Sequence, residues 1–336
     1  MRSRWRRALL LLLFAGGGST VACSATDAKD GPADRPTTVA TAALLPPRPT
    51  GGVASASPRV PPSASAAPSS STPSRRCEAG EVFIPATPAE GFAMRSTQGT
   101  AARPDNREHH RVVLTQPFCM DATEVTVEAY ATCVAAKKCE PPRTWGLFAT
   151  YPKQAQHPVN KADWRHATAY CAFAGKALPT EAQWVWAASG GRGDAWPWGD
   201  ERPTCEHADF TPGVLRTGAS DDGCHGGGPS AVASHPKGAK RWPSGPIHDL
   251  AGNVWEWCRD NHTEWSPQAE QVDPIYVTRE EAAHVVRGGG WNRSGRGIRI
   301  DYRGASPVDY KVPGLGFRCV RNLTPYEPRN YARQRR

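Results

Sequence analysis

The sequence predicts an irregular α+β domain, poor in regular secondary structure and held by aromatic packing and disulfides. Three observations carry this expectation. Eleven of the twelve tryptophans fall within residues 77–321, enough apolar bulk for one sizeable interior. Nine of the ten cysteines fall there too. Long periodic runs are few, because the stretch is dominated by Gly, Pro, Asp and Trp, and no internal repeat is visible.

The chain begins with a basic segment, Met1–Arg7, followed by the unbroken apolar run Ala8–Ala15 and the small residues Gly16, Gly17, Gly18 and Ser19. This is the layout of a secretory signal over residues 1–22, and the run is too short to span a bilayer as a helix. Thr20-Val21-Ala22-Cys23 leaves two readings open: a lipoprotein signal with Cys23 as the lipidated residue, or plain cleavage after Ala22. Residues 23–76 then form an Ala/Pro/Ser/Thr linker, and 24–76 hold no aromatic residue and no cysteine. Such a segment cannot bury enough apolar area to offset its ordering entropy, so it reads as a disordered tether. The expected location is a bacterial cell envelope, with membrane contact through the lipid.

Charge narrows the function. The arginines of the first seven residues contribute +4, residues 24–76 a further +3, and residues 322–336 another +3, which leaves −1 of the total +9 for residues 77–321. A nucleic-acid-binding domain concentrates positive charge on a folded face. The folded stretch here has no surplus, so nucleic acid is not an expected partner. Residues 323–336 read as a basic tail.

With Cys23 set aside, cysteines 77, 119, 133, 139, 171, 205, 224, 258 and 319 remain, an odd number. Cys133 and Cys139, six residues apart across a Lys-Lys turn, suit a local bridge, and Cys205 with Cys224 suits another. No Cys-x-x-Cys occurs, which disfavours a zinc ribbon or a thioredoxin-type site.

Within the domain, Glu81–Ile84 before Pro85 reads as a strand, and Arg111–Thr115 as a second. The adjacent His109 and His110 would point to opposite sides of a strand, so they read as a strand edge rather than a metal pair. Asp163 is a good N-cap for a helix carrying Trp164, Ala167, Tyr170, Cys171 and Ala174 at helical spacing and stopped by Gly175. Thr180-Glu181-Ala182-Gln183 fits a capping box, and its helix ends at Gly190-Gly191.

Several blocks are similar to the formylglycine-generating enzyme (sulfatase-modifying factor) family. They are Thr123-Glu124-Val125-Thr126, Ala177-Leu178-Pro179-Thr180-Glu181-Ala182-Gln183-Trp184, Pro197-Trp198-Gly199, Asp249-Leu250-Ala251-Gly252-Asn253-Val254-Trp255-Glu256-Trp257, Val286-Arg287-Gly288-Gly289-Gly290-Trp291 and Gly314-Leu315-Gly316-Phe317-Arg318-Cys319. They occur in the family's order across about residues 77–322. The resemblance implies a C-type-lectin-like fold of the sulfatase-modifying type. It also implies a bridge between Cys171 and Cys319. Cys77–Cys119 is then a further expected bridge, with Cys258 as the odd thiol, and Cys119–Cys258 stays an alternative.

The family's enzymes oxidise a sulfatase cysteine to formylglycine, using two cysteines that bind copper. Paired thiolates suit Cu(I). Read without gaps from Trp291, their positions hold Arg293 and Ile298, and no cysteine lies anywhere between Cys258 and Cys319. A guanidinium there would repel a cation. No copper is therefore expected. The iron-dependent sulfoxide synthases of the same superfamily use a His-x-x-x-His-x-Glu motif, and none of the ten histidines here has another four residues on. Neither Gly-x-Ser-x-Gly nor Gly-x-Gly-x-x-Gly occurs.

Calcium is the cofactor that the resemblance still implies. Side-chain oxygens would come from Asp249 and Glu256, and carbonyls from Gly252 and Val254. Hard oxygens and a glycine that lets the chain curl suit the ion. The alternative makes Asp249 a turn cap and pairs Glu256 with a buried arginine. A second implied site uses Asp209, the Phe210 carbonyl, Asp222 and the Cys224 carbonyl, although the intervening loop departs from the family.

Two functions follow. The first is a binding module whose former catalytic cleft grips an envelope ligand or protein. Its wall would comprise Trp291, Asn292, Arg293, Arg296, Arg299, Asp301, Arg303 and Asp309, with Trp255 nearby. Arginines beside an indole suit a carboxylate, a phosphate or an acidic peptide, unless they form internal salt bridges. The second is an enzyme of the family with a different oxidative or metal-dependent chemistry.

Overall fold

The computed structural model describes residues 76–98, 108–213, 223–263, 270–324 and 328–330. The expected signal, Cys23, nearly all of the linker, Asp222 and most of the C-terminal tail lie outside the described residues.

The N-terminal elements are β1 (Glu81–Ile84), β2 (Phe92–Gln98), β3 (Glu108–Val113) and β4 (Phe118–Asp121). Three helices follow: α1 (Val127–Ala135), α2 (Trp164–Phe173) and α3 (Glu181–Ser189). Then come β5 (Lys240–Trp242), β6 (Gly245–Ile247), β7 (Trp255–Asn261), β8 (Gln271–Val272) and β9 (Pro274–Ile275). The last elements are β10 (His284–Arg287), β11 (Tyr302–Ser306), β12 (Leu315–Gly316), β13 (Val320–Asn322) and β14 (Arg329–Asn330).

A seven-stranded mixed sheet runs in the order β12-β7-β10-β11-β2-β3-β8. Its centre is antiparallel, β10 pairing with β7 on one side and β11 on the other. A three-stranded antiparallel sheet runs β1-β4-β13, so the end of the domain returns to its beginning, Val320 opposite Met120. Phe118, Cys119 and Met120 are all buried, as a central strand covered on both faces requires.

The two helices read from their caps form as expected. Asp163 accepts the His166 amide at 2.9 Å and starts α2. Thr180 accepts the Gln183 amide at 3.1 Å while the Gln183 side chain accepts the Thr180 amide at 3.0 Å, a complete capping box for α3. Gly190 ends α3 in the left-handed conformation, φ 61°. Every residue of α3 is buried, so this short helix sits inside the molecule, with Trp184 and Trp186 in the main core beside Ile84, Leu114, Met120 and Val285.

Other boundaries differ from the expectation. The strand expected at Arg111–Thr115 runs from Glu108 to Val113, because it is fixed by antiparallel pairing to β2, from Phe92 opposite Val112 to Ser96 opposite Glu108. His109 and His110 lie within this strand, paired to β2 on one side, with His110 buried opposite Met94. Helix α1 and strand β2 have no counterpart in the sequence reading.

Four disulfides join Cys77–Cys119, Cys133–Cys139, Cys171–Cys319 and Cys205–Cys224. Cys258 is a buried free thiol whose pKa burial drives well above the ordinary range, which makes it a small core residue rather than a nucleophile.

Candidate ligand-binding site

The site is built on the turn that leaves β10. Gly288 and Gly289 both have positive φ, 89° and 73°. A Cβ on Gly289 would stand 2.4 Å from the Gly297 carbonyl oxygen, so only glycine lets the following loop fold back against the turn. The loop is tied on two sides. The Trp291 amide donates to the Asn253 carbonyl at 2.8 Å, and the Thr211 amide donates to the Arg293 carbonyl at 2.7 Å. Trp291 is consequently buried, its ring edge-on to Phe148 with centroids 4.9 Å apart. The Trp291 Nε1, the Asn253 Nδ2 and the Ser294 Oγ are buried polar atoms without a protein hydrogen-bond partner. Polar atoms in that condition call for ordered water or a ligand.

The two positions that the resemblance assigns to copper hold Arg293 and Ile298. The Arg293 guanidinium lies over the Trp255 ring at 5.7 Å. Ile298 is fully buried in an apolar cluster with Trp196, Ala208, Phe210 and Ala251. A guanidinium and a hydrocarbon provide no soft donor, so these residues do not fit copper.

The expected ligand wall is only partly assembled. Arg303 does not face a cleft: it is buried and donates to both Glu181 oxygens, at 2.7 and 3.0 Å, and to the Thr263 carbonyl at 2.7 Å. Arg287 joins the same carboxylate. With two guanidinium groups beside it, Glu181 stays ionised against its burial, its pKa held down at about 2. Arg299 and Asp301 pair with each other through two bonds of 2.8 and 3.0 Å, and Arg299 also lies 5.6 Å from the Trp196 centroid. Asp309 is exposed in the turn after β11. The arginines at 299 and 303 thus take the internal salt-bridge role. Trp291, Asn292, Arg293 and Trp255 remain together, with Arg296 exposed on the same loop.

Behind that loop, the Asp249–Glu256 turn encloses a cluster of buried charge. The Arg318 guanidinium, fully buried, donates to both Glu256 oxygens at 2.7 Å and to the carbonyls of Asp121 and His248. Trp184 Nε1 adds a third bond to Glu256 at 2.7 Å. Asp249, with φ 59°, accepts the Ala233 amide at 2.6 Å. Glu124 is buried, and its carboxyl group meets that of Asp249. Burial, then the neighbouring Asp249, pushes the Glu124 pKa well up, and burial raises Asp249 to about 6. Three carboxyl groups therefore face one guanidinium.

That surplus of hard oxygen fits a calcium ion at the first implied site, with Asp249 and Glu124 as its available carboxylates. Glu256 is already engaged by Arg318, as the alternative reading had it. Glu124 belongs to the first family block and adds a carboxylate that the resemblance does not place among the ligands. The second implied site is a poorer fit. Both Asp209 oxygens are taken, by the Cys224 amide at 3.2 Å and by the Ser230 amide and hydroxyl at 3.1 and 2.7 Å. Asp209 there folds the loop that the Cys205–Cys224 bridge closes. The Cys224 sulfur lies 3.2 Å from the Phe210 carbonyl oxygen.

A family model for the sulfatase-modifying factor enzyme 1-like domain matches residues 68–323. The formylglycine-generating enzyme of Streptomyces coelicolor is 33% identical over 198 residues, 53% of this chain and 57% of that protein. That of Thermomonospora curvata is 36% identical over 194 residues, 52% and 59%. A Bos taurus protein named inactive C-alpha-formylglycine-generating enzyme 2 is 31% identical over 180 residues, 50% and 51%. The chain thus spans little more than half the length of these relatives. Among solved structures, Treponema denticola variable protein 1 superimposes with a TM-score of 0.53 at 22% identity, covering 72% of this chain and 94% of that one. PvdO from Pseudomonas aeruginosa gives 0.50 at 21%, with the same coverage. The fold is that of the C-type-lectin-like, sulfatase-modifying type, and the chain belongs to the formylglycine-generating enzyme (sulfatase-modifying factor) family.

Proposed function

We propose that this chain is an exported, lipid-anchored binding module of the family, holding a ligand or protein partner of the bacterial envelope where its catalytic relatives hold copper. The observation that carries this reading is the pair Arg293 and Ile298, with no cysteine between Cys258 and Cys319. An oxidase mechanism built on two thiolates has no donors here. Four disulfides support an oxidising compartment, and Cys23 is the proposed lipidation site.

The residues left in the loop favour an acceptor-rich partner. Arg293 over Trp255, the exposed Arg296 and the buried donors around Trp291 suit a carboxylate or a phosphate. Calcium is proposed as a structural partner. Asp249 and Glu124 would hold it, and when bound it would offset the negative charge that Arg318 leaves uncompensated.

A fluorescent peptide carrying glutamate and phosphoserine, titrated against the full chain, tests the reading. Retention that is lost in Arg293→Ala/Arg296→Ala is the expected result. Retention unchanged in that double variant contradicts the assignment of the loop.

A further inference from the structure

Two imidazoles meet in the segment after the Cys205–Cys224 bridge. The Nε2 atoms of His225 and His235 are 3.3 Å apart, with ring planes at 79°. Their distance matches a metal bite. A tetrahedral ion with metal–nitrogen bonds of about 2.0–2.1 Å sets two ligand nitrogens roughly 3.3–3.4 Å apart. In the absence of an ion, the two nitrogens satisfy each other only if one carries a proton and the other accepts it.

The backbone at both histidines is held before any ion arrives. The backbone leading into His225 is fixed by the bridge at Cys224. His235 is buried, and its carbonyl accepts the Gly238 amide at 3.0 Å, which closes a short turn beyond it. Burial also depresses the His235 pKa, which keeps a lone pair on the ring. His225 is exposed and borders a cavity of about 420 Å³ that is also lined by Phe148, His157, Gly228, Ser230 and Ser234. Phe148 is the residue that packs on Trp291, so the cavity adjoins the candidate ligand loop.

We infer that His225 and His235 form a binding site for a divalent transition ion of the zinc class, open to this cavity. Imidazole nitrogens suit zinc, copper(II) and nickel rather than calcium, so the site is chemically distinct from the carboxylate cluster. Among the described residues no third imidazole, thiol or carboxylate lies within 4.8 Å of both nitrogens. Water therefore completes the shell, and the exchangeable positions face the cavity, where an anionic ligand group can replace it.

The test uses the full chain and Zn2+ alone, in competition with a chromophoric chelator and with calcium in excess to occupy the carboxylates. One Zn2+ per chain is expected. His225→Ala, at an exposed position, should weaken binding by roughly tenfold or more. Bound Cu2+ should show two ring nitrogens by electron paramagnetic resonance, and one in the variant. Absence of Zn2+ uptake overturns the inference, as does equal affinity in His225→Ala. A loss that follows His157→Ala while His225→Ala is silent overturns it too.

Discussion

Glu181 shows how much of this fold rests on single buried charges. Its carboxylate lies between Arg287 and Arg303, and removing its charge takes away the carboxylate that these two buried guanidinium groups share. Glu181→Gln should destabilise the protein by about 3–5 kcal/mol, measured by urea unfolding at neutral pH. The low pKa of Glu181 gives a stability contribution present above the unfolded value and lost as pH falls towards about 2. Asp260 acts in the opposite sense. Burial, and then Glu181, raises its pKa to about 7, so its contribution is present in acid and lost as pH rises through that value. Melting temperature should therefore decline between about pH 4 and 7, the window between the unfolded and folded values, and Asp260→Asn should flatten that decline. A wild-type melting temperature that is flat across that range contradicts the assignment. None of these pairings was legible in the sequence. Glu181 and Arg303 stand 122 residues apart, and no local pattern announces which arginine turns inward.

At the scale of elements, the sequence was readable wherever a terminus carries its own chemistry. Asp163 and Thr180 mark α2 and α3 because their side chains satisfy amides three residues on. Thr126 caps α1 in the same way, accepting the Ala129 amide at 3.1 Å. Alanine at that third position completes no capping box, and the signal passes unnoticed. Strand β2 is hidden for a different reason, since its register comes from β3 rather than from an alternating pattern of its own. The Cys171–Cys319 bridge ties α2 to the residue before β13 across 148 residues. Closing so long a loop stabilises by about 5 kcal/mol in the chain-entropy model. Cys171→Ala/Cys319→Ala should therefore cost roughly 2–5 kcal/mol in denaturant unfolding, whereas Thr180→Ala should cost about 1 kcal/mol.

Over the whole molecule, the family's scaffold is present, and the two positions that the resemblance assigns to copper hold a guanidinium and a hydrocarbon. The carboxylate cluster at Asp249 offers one check of the proposed calcium site. Calcium at a hundredfold excess over Kd should stabilise the full chain by about 2.7 kcal/mol, read as a rise in melting temperature that a chelator reverses. Glu124→Gln should remove most of that rise, and a melting temperature indifferent to calcium contradicts the site. The motif blocks made the turn at Asp249 and the loop at Trp291 visible in the sequence. Glu124 was not recognised as part of the cluster, because it enters from a segment more than a hundred residues away.

The most direct measurement incubates the full chain with Cu(I), oxygen and a Cys-x-Pro-x-Arg peptide, and follows aldehyde by mass spectrometry. The account predicts no aldehyde. Aldehyde formed in proportion to protein would contradict it.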